Sequence, residues 1–211
     1  TKGFIMSIVT LNDRAVRSVT TFGSLNTGSM VFIKKLTASS SSTLSFVNGS
    51  SDVVLDSTYK EYMFTFNNMH PATDNAKFIF NGSDDTSSHS YDITKTTTLF
   101  RAYNYENDSA SGLGYRTTQD LAQATGFQDL VDRIGNDNDT AACGYLHLFN
   151  PSSTTFVKHF IAQTILPYQD ELAWHGFTSG YFNTTSAITA IQFKMDSGNI
   201  DAGDICLYGI L

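Results

Sequence analysis

The sequence predicts an all-β fold, an antiparallel β-sandwich, and three observations support this prediction. Only 16% of the 211 residues are charged while 41% are apolar, so much of the polar surface must come from Ser, Thr, Asn and Gly. These residue types favour strands and turns over helices. From residue 30 onward, short apolar runs alternate with turn residues, mostly at spacings of about 8 to 15 residues.

The first half of the chain begins with a segment of different character. Residues 1–28 are predicted to form an N-terminal arm, because weak helical spacing at 11–17 is followed by the helix breakers Gly23 and Gly28. Strands are then predicted at 30–36, 43–47, 52–55, 59–66, 76–80 and 97–103. The dipeptides Asn48-Gly49 and Asn81-Gly82 are typical of hairpin turns.

One helix is predicted in the middle of the chain. Phe127, Leu130, Val131 and Ile134 follow the i, i+3, i+4, i+7 spacing of a single apolar stripe. Gly135 stands directly after them, where a helix C-cap glycine belongs. The sequence therefore predicts one short helix that closes an end of the sandwich.

The second half returns to strand patterns. Strands are predicted at 143–149, 155–163, 180–182, 188–195 and 204–210. About ten strands with regular turn signals favour a jelly roll among the sandwich architectures. The predicted organisation is therefore an attachment arm at 1–28 followed by one β-sandwich domain at 29–211.

Charge and hydropathy exclude several classes of partner. The net charge is −7, and Lys34-Lys35 is the only adjacent basic pair, whereas nucleic-acid binding needs clustered Lys and Arg. No apolar stretch of about eighteen residues is present, so membrane insertion is not expected. Cys143 and Cys206 are predicted to be free thiols rather than a bridge, and no CxxC motif starts a zinc site.

Two groups of residues invite a metal interpretation. His147 and His159 flank a predicted turn at 150–154 and are expected to lie nearly opposite on paired strands. Asp137 and Asp139 offer hard oxygen ligands for calcium, but no glutamate closes an EF-hand loop. Surface histidines and an Asn/Asp-rich turn are the favoured interpretations, so no metal or other cofactor is predicted.

Aromatic residues in loop-like segments are the candidate binding residues. Trp174, His175, Tyr181 and Tyr115 are candidates for stacking on a glycan or anchoring a protein interface, with core packing as the alternative. A glycosidase needs two carboxylates across a cleft, and the sequence gives the adjacent Asp170-Glu171 no partner. Neither GxSxG nor HExxH occurs, and no catalytic residues are predicted.

Several phrases of the chain resemble a recurrent group of virion proteins of marine tailed bacteriophages, including cyanophages. They are FIKKLTASSSSTLSFVNG (32–49), LDSTYKEYMFTFNNMHPATD (55–74), FRAYNYENDSASGLGYRTTQDLAQ (100–123), GYLHLFNPSSTTFVKHFIA (144–162) and QFKMDSGNIDAGDICLYGI (192–210). The resemblance runs from about Asn12 onward and contains no catalytic motif. Members of the group are described as tail-fibre or structural proteins, which implies a non-enzymatic, surface-displayed β-rich protein.

This resemblance leads to three expectations of decreasing weight. The first is a tail-fibre or appendage component of the virion, a homotrimer by analogy. It would be assembled in the host cytoplasm and, as part of the particle, could bind a glycan on the host surface. The second is a decoration protein on the capsid. In both, Phe4, Ile5, Ile8 and Val9 of the arm would attach to other virion proteins. The third, a polysaccharide-degrading virion enzyme, is disfavoured by the short chain.

Overall fold

The computed structural model describes residues 29–168 and 170–211. In this part of the chain all the regular secondary structure is β-strand, with no helix. The predicted arm, with Phe4, Ile5, Ile8 and Val9, lies outside the described residues. In chain order the strands are β1 (Met30–Ser41), β2 (Leu44–Val47), β3 (Glu61–Pro71), β4 (Ala76–Ser83), β5 (Lys95–Tyr105), β6 (Ser111–Tyr115), β7 (Gln128–Ile134), β8 (Ala142–Phe149), β9 (Lys158–Tyr168), β10 (Leu172–Phe182), β11 (Ala190–Met195) and β12 (Ile200–Ile210). Within these ranges, no helix has the length and apolar character needed to cross a membrane.

The strands form two antiparallel sheets, which confirms the predicted all-β sandwich. The larger sheet has eight strands in the order β1-β12-β3-β8-β9-β10-β5-β6, and the smaller has four in the order β2-β11-β4-β7. The chain changes sheet at every connection between consecutive strands except β5 to β6, β8 to β9 and β9 to β10. This crossing order is compatible with a jelly roll, which stays a prediction.

The core between the sheets is largely aromatic. Tyr62, Phe64 and Phe66, which share one face of β3 by period two, are all buried as the alternation predicts. Phe193 of β11 faces them from the smaller sheet, with its ring centroid 5.3 Å from those of Phe64 and Phe66. Because the two sheets touch through such rings, their burial supplies much of the driving force for the sandwich.

The predicted helix at 127–134 is wrong, because this segment forms the edge strand β7. Its register against β4 shifts twice, so β7 carries two extra residues. Ala76 pairs with Ile134, but Phe78 pairs with Val131. Arg133, which lies between Val131 and Ile134, has a φ of 45°. Such bulges break the period of two. They produce the spacings of three and four residues that imitate a helical stripe.

Other differences concern turns and strand ends. Asn48-Gly49 is a turn as predicted, with Gly49 at a φ of 77° and the Asn48 side chain accepting a hydrogen bond from the Leu55 amide at 2.9 Å. Asn81-Gly82 instead lies inside β4, where Asn81 is fully buried. β6 was not predicted, because its glycines hide the strand pattern.

Candidate protein interaction surface

Five adjacent strands of the larger sheet, in the order β8-β9-β10-β5-β6, present one continuous surface on the side away from the core. Side chains alternate between the two sides of a strand, and inward residues of β8, β9 and β10 such as Leu146, Phe160 and Trp174 belong to the core. The outward set is Cys143, Tyr145, His147, Phe149, His159, Ile161, Gln163, Ile165, Pro167, Ala173, His175, Phe177, Ser179, Tyr181, Thr96, Thr98, Phe100, Ala102, Asn104, Ser111, Leu113 and Tyr115. We call this surface the outer face.

The outer face contains no Asp, Glu, Lys or Arg, and none of its side chains is buried. Charged residues ordinarily occupy exposed positions in folded proteins. Depletion of charge combined with aromatic enrichment is the compositional signal of the centre of a protein–protein interface. The composition of the outer face therefore matches a surface that another protein covers.

Large apolar side chains are widely exposed on the outer face. Leu113 is 71% exposed, Ile165 53%, Tyr115 51%, Ile161 47% and Phe100 39%. Phe100 and Phe177 are cross-strand partners whose rings stack with centroids 4.8 Å apart. Patches of this extent are rare on monomeric soluble proteins, and they mark interaction sites.

Three histidines lie on the outer face, each beside an aromatic ring. The ring centroid of His175 lies 4.1 Å from that of Phe177, and His159 lies 6.3 Å from Tyr181. His147 bonds through Nδ1 to the carboxylate of Glu61 on the neighbouring strand β3. These contacts place the imidazoles among the aromatic rings of the surface, with the rings of His175 and His159 tilted against their neighbours.

β8 and β9 pair as predicted, but His147 and His159 are not directly opposite each other. The register of β8 on β9 places His147 opposite Ile161, and His159 is opposite Tyr181 of β10. In the part of the chain that the structure describes, no group of three or more His, Cys, Asp or Glu side chains could hold a metal ion.

A concavity of about 870 Å³ lies at the end of the outer face where the β5–β6 and β9–β10 turns meet. Its floor is mostly apolar, with Ala102, Ile165 and Ala173 among the lining residues, and Glu106 and Asp108 of the β5–β6 turn border it. The outer face is therefore not flat, and it offers a recess for a protruding side chain of a partner.

Trp174 does not belong to the exposed surface. It lies in β10 rather than in a loop, it is 1% exposed, and its indole ring occupies the space beneath Gly176. Its Nε1–H has no hydrogen-bond partner, the one such buried side-chain atom among residues 29–168 and 170–211. Trp174 therefore cannot stack on a glycan, whereas His175, Tyr181 and Tyr115 do lie on the outer face.

Replacing Gly176 by alanine is expected to lower the free energy of unfolding by about 1 to 3 kcal/mol, the usual range for overpacking a core. A Cβ atom at this position would lie 2.0 Å from Cη2 of Trp174, so the indole must move. Urea unfolding of the variant measures the effect, with Gly114→Ala on β6 as the control because a Cβ there meets nothing within 4 Å.

The remaining candidate residues take structural roles. The backbone oxygen of Asp137 accepts hydrogen bonds from the amide and hydroxyl of Thr140, which closes the turn after β7. The carboxylate of Asp170 lies 3.7 Å from the guanidinium of Arg133. Cys143 and Cys206 are free thiols.

One cluster that the sequence did not suggest has the residue types of a hydrolase triad. Ser83 Oγ lies 3.1 Å from Asp85 Oδ2 and 3.3 Å from His89 Nδ1. In a triad the carboxylate orients the imidazole, and the hydroxyl is open to substrate. Here both partners contact the hydroxyl, and Ser83 is fully buried. The cluster instead ties the loop after β4 to the sandwich.

Comparisons with family models, with curated proteins and with solved structures gave no match. A sequence signal for the outer face does exist in β9, where apolar residues occupy both alternating sets, as in Phe160 and Leu166 on one side and Ile161 and Ile165 on the other. Strands that are apolar on both sides are typically covered on both sides.

Proposed function

We propose that this chain is a non-enzymatic structural protein of a bacteriophage virion, a tail-fibre or appendage component whose outer face is covered in the assembled particle. The observation that carries this proposal is the absence of charged side chains from the five-strand outer face. The resemblance of the sequence phrases to phage virion proteins supplies the biological setting.

The physical case for assembly rests on the cost of leaving the outer face in water. Burying apolar surface stabilises by about 25 cal/mol per Å², so covering exposed Leu113, Ile161 and Ile165 is favourable. Covering charged residues would oppose this gain, because a buried unpaired charge costs several kcal/mol. With no such residue on the outer face, a partner meets little desolvation penalty there.

A cryo-EM map of virions of the phage that encodes the chain tests this proposal. We expect density for the twelve-stranded sandwich on the tail or its fibres, with the outer face in contact with protein. Density on the icosahedral shell would replace the appendage role by that of a decoration protein. Particles that lack the chain, as judged by mass spectrometry of purified virions, would overturn the structural role altogether.

A further inference from the structure

We infer that the occupant of the outer face is a second copy of this same chain. This inference rests on the proposed function, in which the outer face is covered, and it names the partner. Three features lead to it: the charge of the rest of the protein, the symmetry of contacts between identical chains, and the size of the outer face.

The rest of the protein is strongly acidic. Residues 29–211 contain ten basic and nineteen acidic residues, since three basic residues and one acidic residue belong to 1–28. Two copies therefore repel each other over most of their surfaces. The outer face itself carries no carboxylate, and Glu61, Glu106 and Asp108 lie only at its border, so two such copies can touch at its centre without bringing carboxylates together. A basic partner, by contrast, would be drawn to the acidic surfaces elsewhere.

Symmetry strengthens this inference. In a closed homo-oligomer the same surface is used by every copy, and residues close to the symmetry axis lie next to their own equivalents. A charged residue there would face an identical charge, which is destabilising. A contact between two identical chains therefore needs a charge-free centre. A contact with a different protein does not need one, because the charges of that protein can be complementary.

The size of the outer face is sufficient for a stable contact. Five strands spaced about 4.8 Å apart, each about nine residues long at about 3.3 Å per residue, cover about 24 Å by 30 Å, on the order of 700 Å². A specific protein–protein interface buries about 800 Å² on each partner. Exposed side chains such as Leu113 and Tyr115 add to this backbone area.

Sedimentation velocity of the purified 211-residue chain, at protein concentrations from about 1 to 100 µM, tests the inference. We expect a species heavier than the 23.2 kDa monomer. Ile161→Asp and Ser179→Glu each place a carboxylate near the middle of the outer face, and we expect both to weaken association at least about 30-fold. Phe156→Asp is the matched control, because Phe156 is 68% exposed and lies outside the outer face.

Ser179→Glu keeps the test informative if Ile161→Asp impairs folding, since Ser179 is a half-exposed polar residue. A chain that stays monomeric at every concentration would overturn the inference, and so would an oligomer that resists both outer-face variants. A monomer whose outer face is nonetheless covered by a different protein in the virion map would leave the proposed function standing. A virion map with the outer face bare would remove both.

Discussion

Replacing Phe193 by alanine is expected to lower the free energy of unfolding by about 4 kcal/mol, within the range for removing a buried aromatic ring. Phe193 is fully buried at the centre of the core. Its ring lies within 6.2 Å, centroid to centroid, of five other phenylalanine rings: Phe46, Phe64, Phe66, Phe78 and Phe80. Those rings come from both sheets, so the substitution would leave a cavity between the two layers of the sandwich.

Guanidinium unfolding of the wild type and Phe193→Ala measures this loss as a shift of the transition midpoint. Phe156→Ala is the control, because Phe156 is 68% exposed and its truncation is expected to change stability by less than about 0.5 kcal/mol. Equal losses for the two variants would contradict a core centred on Phe193.

The stability of the protein is expected to rise between pH 7 and pH 10 through Lys95. Lys95 is fully buried in β5, and its ammonium donates hydrogen bonds to the backbone oxygens of Ile93 at 3.0 Å and Gly126 at 2.6 Å. Burial lowers the pKa of Lys95 to about 7, against a smaller opposite effect of the Asp92 charge. An unfolded lysine has a pKa of about 10.4.

Between these two pKa values the unfolded chain binds a proton at Lys95 that the folded chain does not bind. The free energy of unfolding therefore increases with pH in this window, by up to about 1.4 kcal/mol per pH unit. Below pH 7 the destabilising effect of Lys95 is fully present, and it disappears as the pH passes the unfolded pKa. From pH 7 to pH 10 we expect a gain on the order of 3 kcal/mol from this residue.

Lys95→Met isolates this contribution, because methionine keeps the length of the side chain and cannot bind a proton. Urea unfolding at pH 7, 8, 9 and 10 should give a steeper rise for the wild type than for Lys95→Met. Parallel pH profiles for the two proteins would show that the Lys95 ammonium keeps its proton in the fold throughout this range.

Sequence patterns predict the strands correctly where the alternation of apolar and polar residues is regular. They fail where a bulge or a buried polar side chain interrupts the alternation. In β3 the period of two predicted which side of the strand is buried. In β7 two bulges gave a helical spacing. Asn81 looked like a turn residue, but its side-chain amide donates hydrogen bonds to the backbone oxygens of Tyr91 and Thr125, which satisfy it inside β4. A local sequence pattern cannot predict hydrogen-bond partners that lie this far away in the chain.

The outer face was harder to predict, because it depends on which strands are neighbours. Phe100 and Phe177 are far apart in the chain and become a stacked pair only because β5 lies next to β10. The sequence predicts Trp174 in a loop-like segment, whereas the turn between β9 and β10 is short and Trp174 already lies within the strand. His175, Tyr181 and Tyr115 lie on the outer face, and their role in binding stays a prediction.

Hydroxyl-radical footprinting across the concentration range of association would test most directly whether the outer face is covered by protein. Oxidation of Tyr115 and Phe100 on the outer face is compared with that of Phe156, which lies outside it. We expect the oxidation rates of Tyr115 and Phe100 to fall several-fold as the oligomer forms, while the rate of Phe156 stays constant. Unchanged rates at all three residues in a sample that sedimentation shows to be oligomeric would contradict an interface on the outer face.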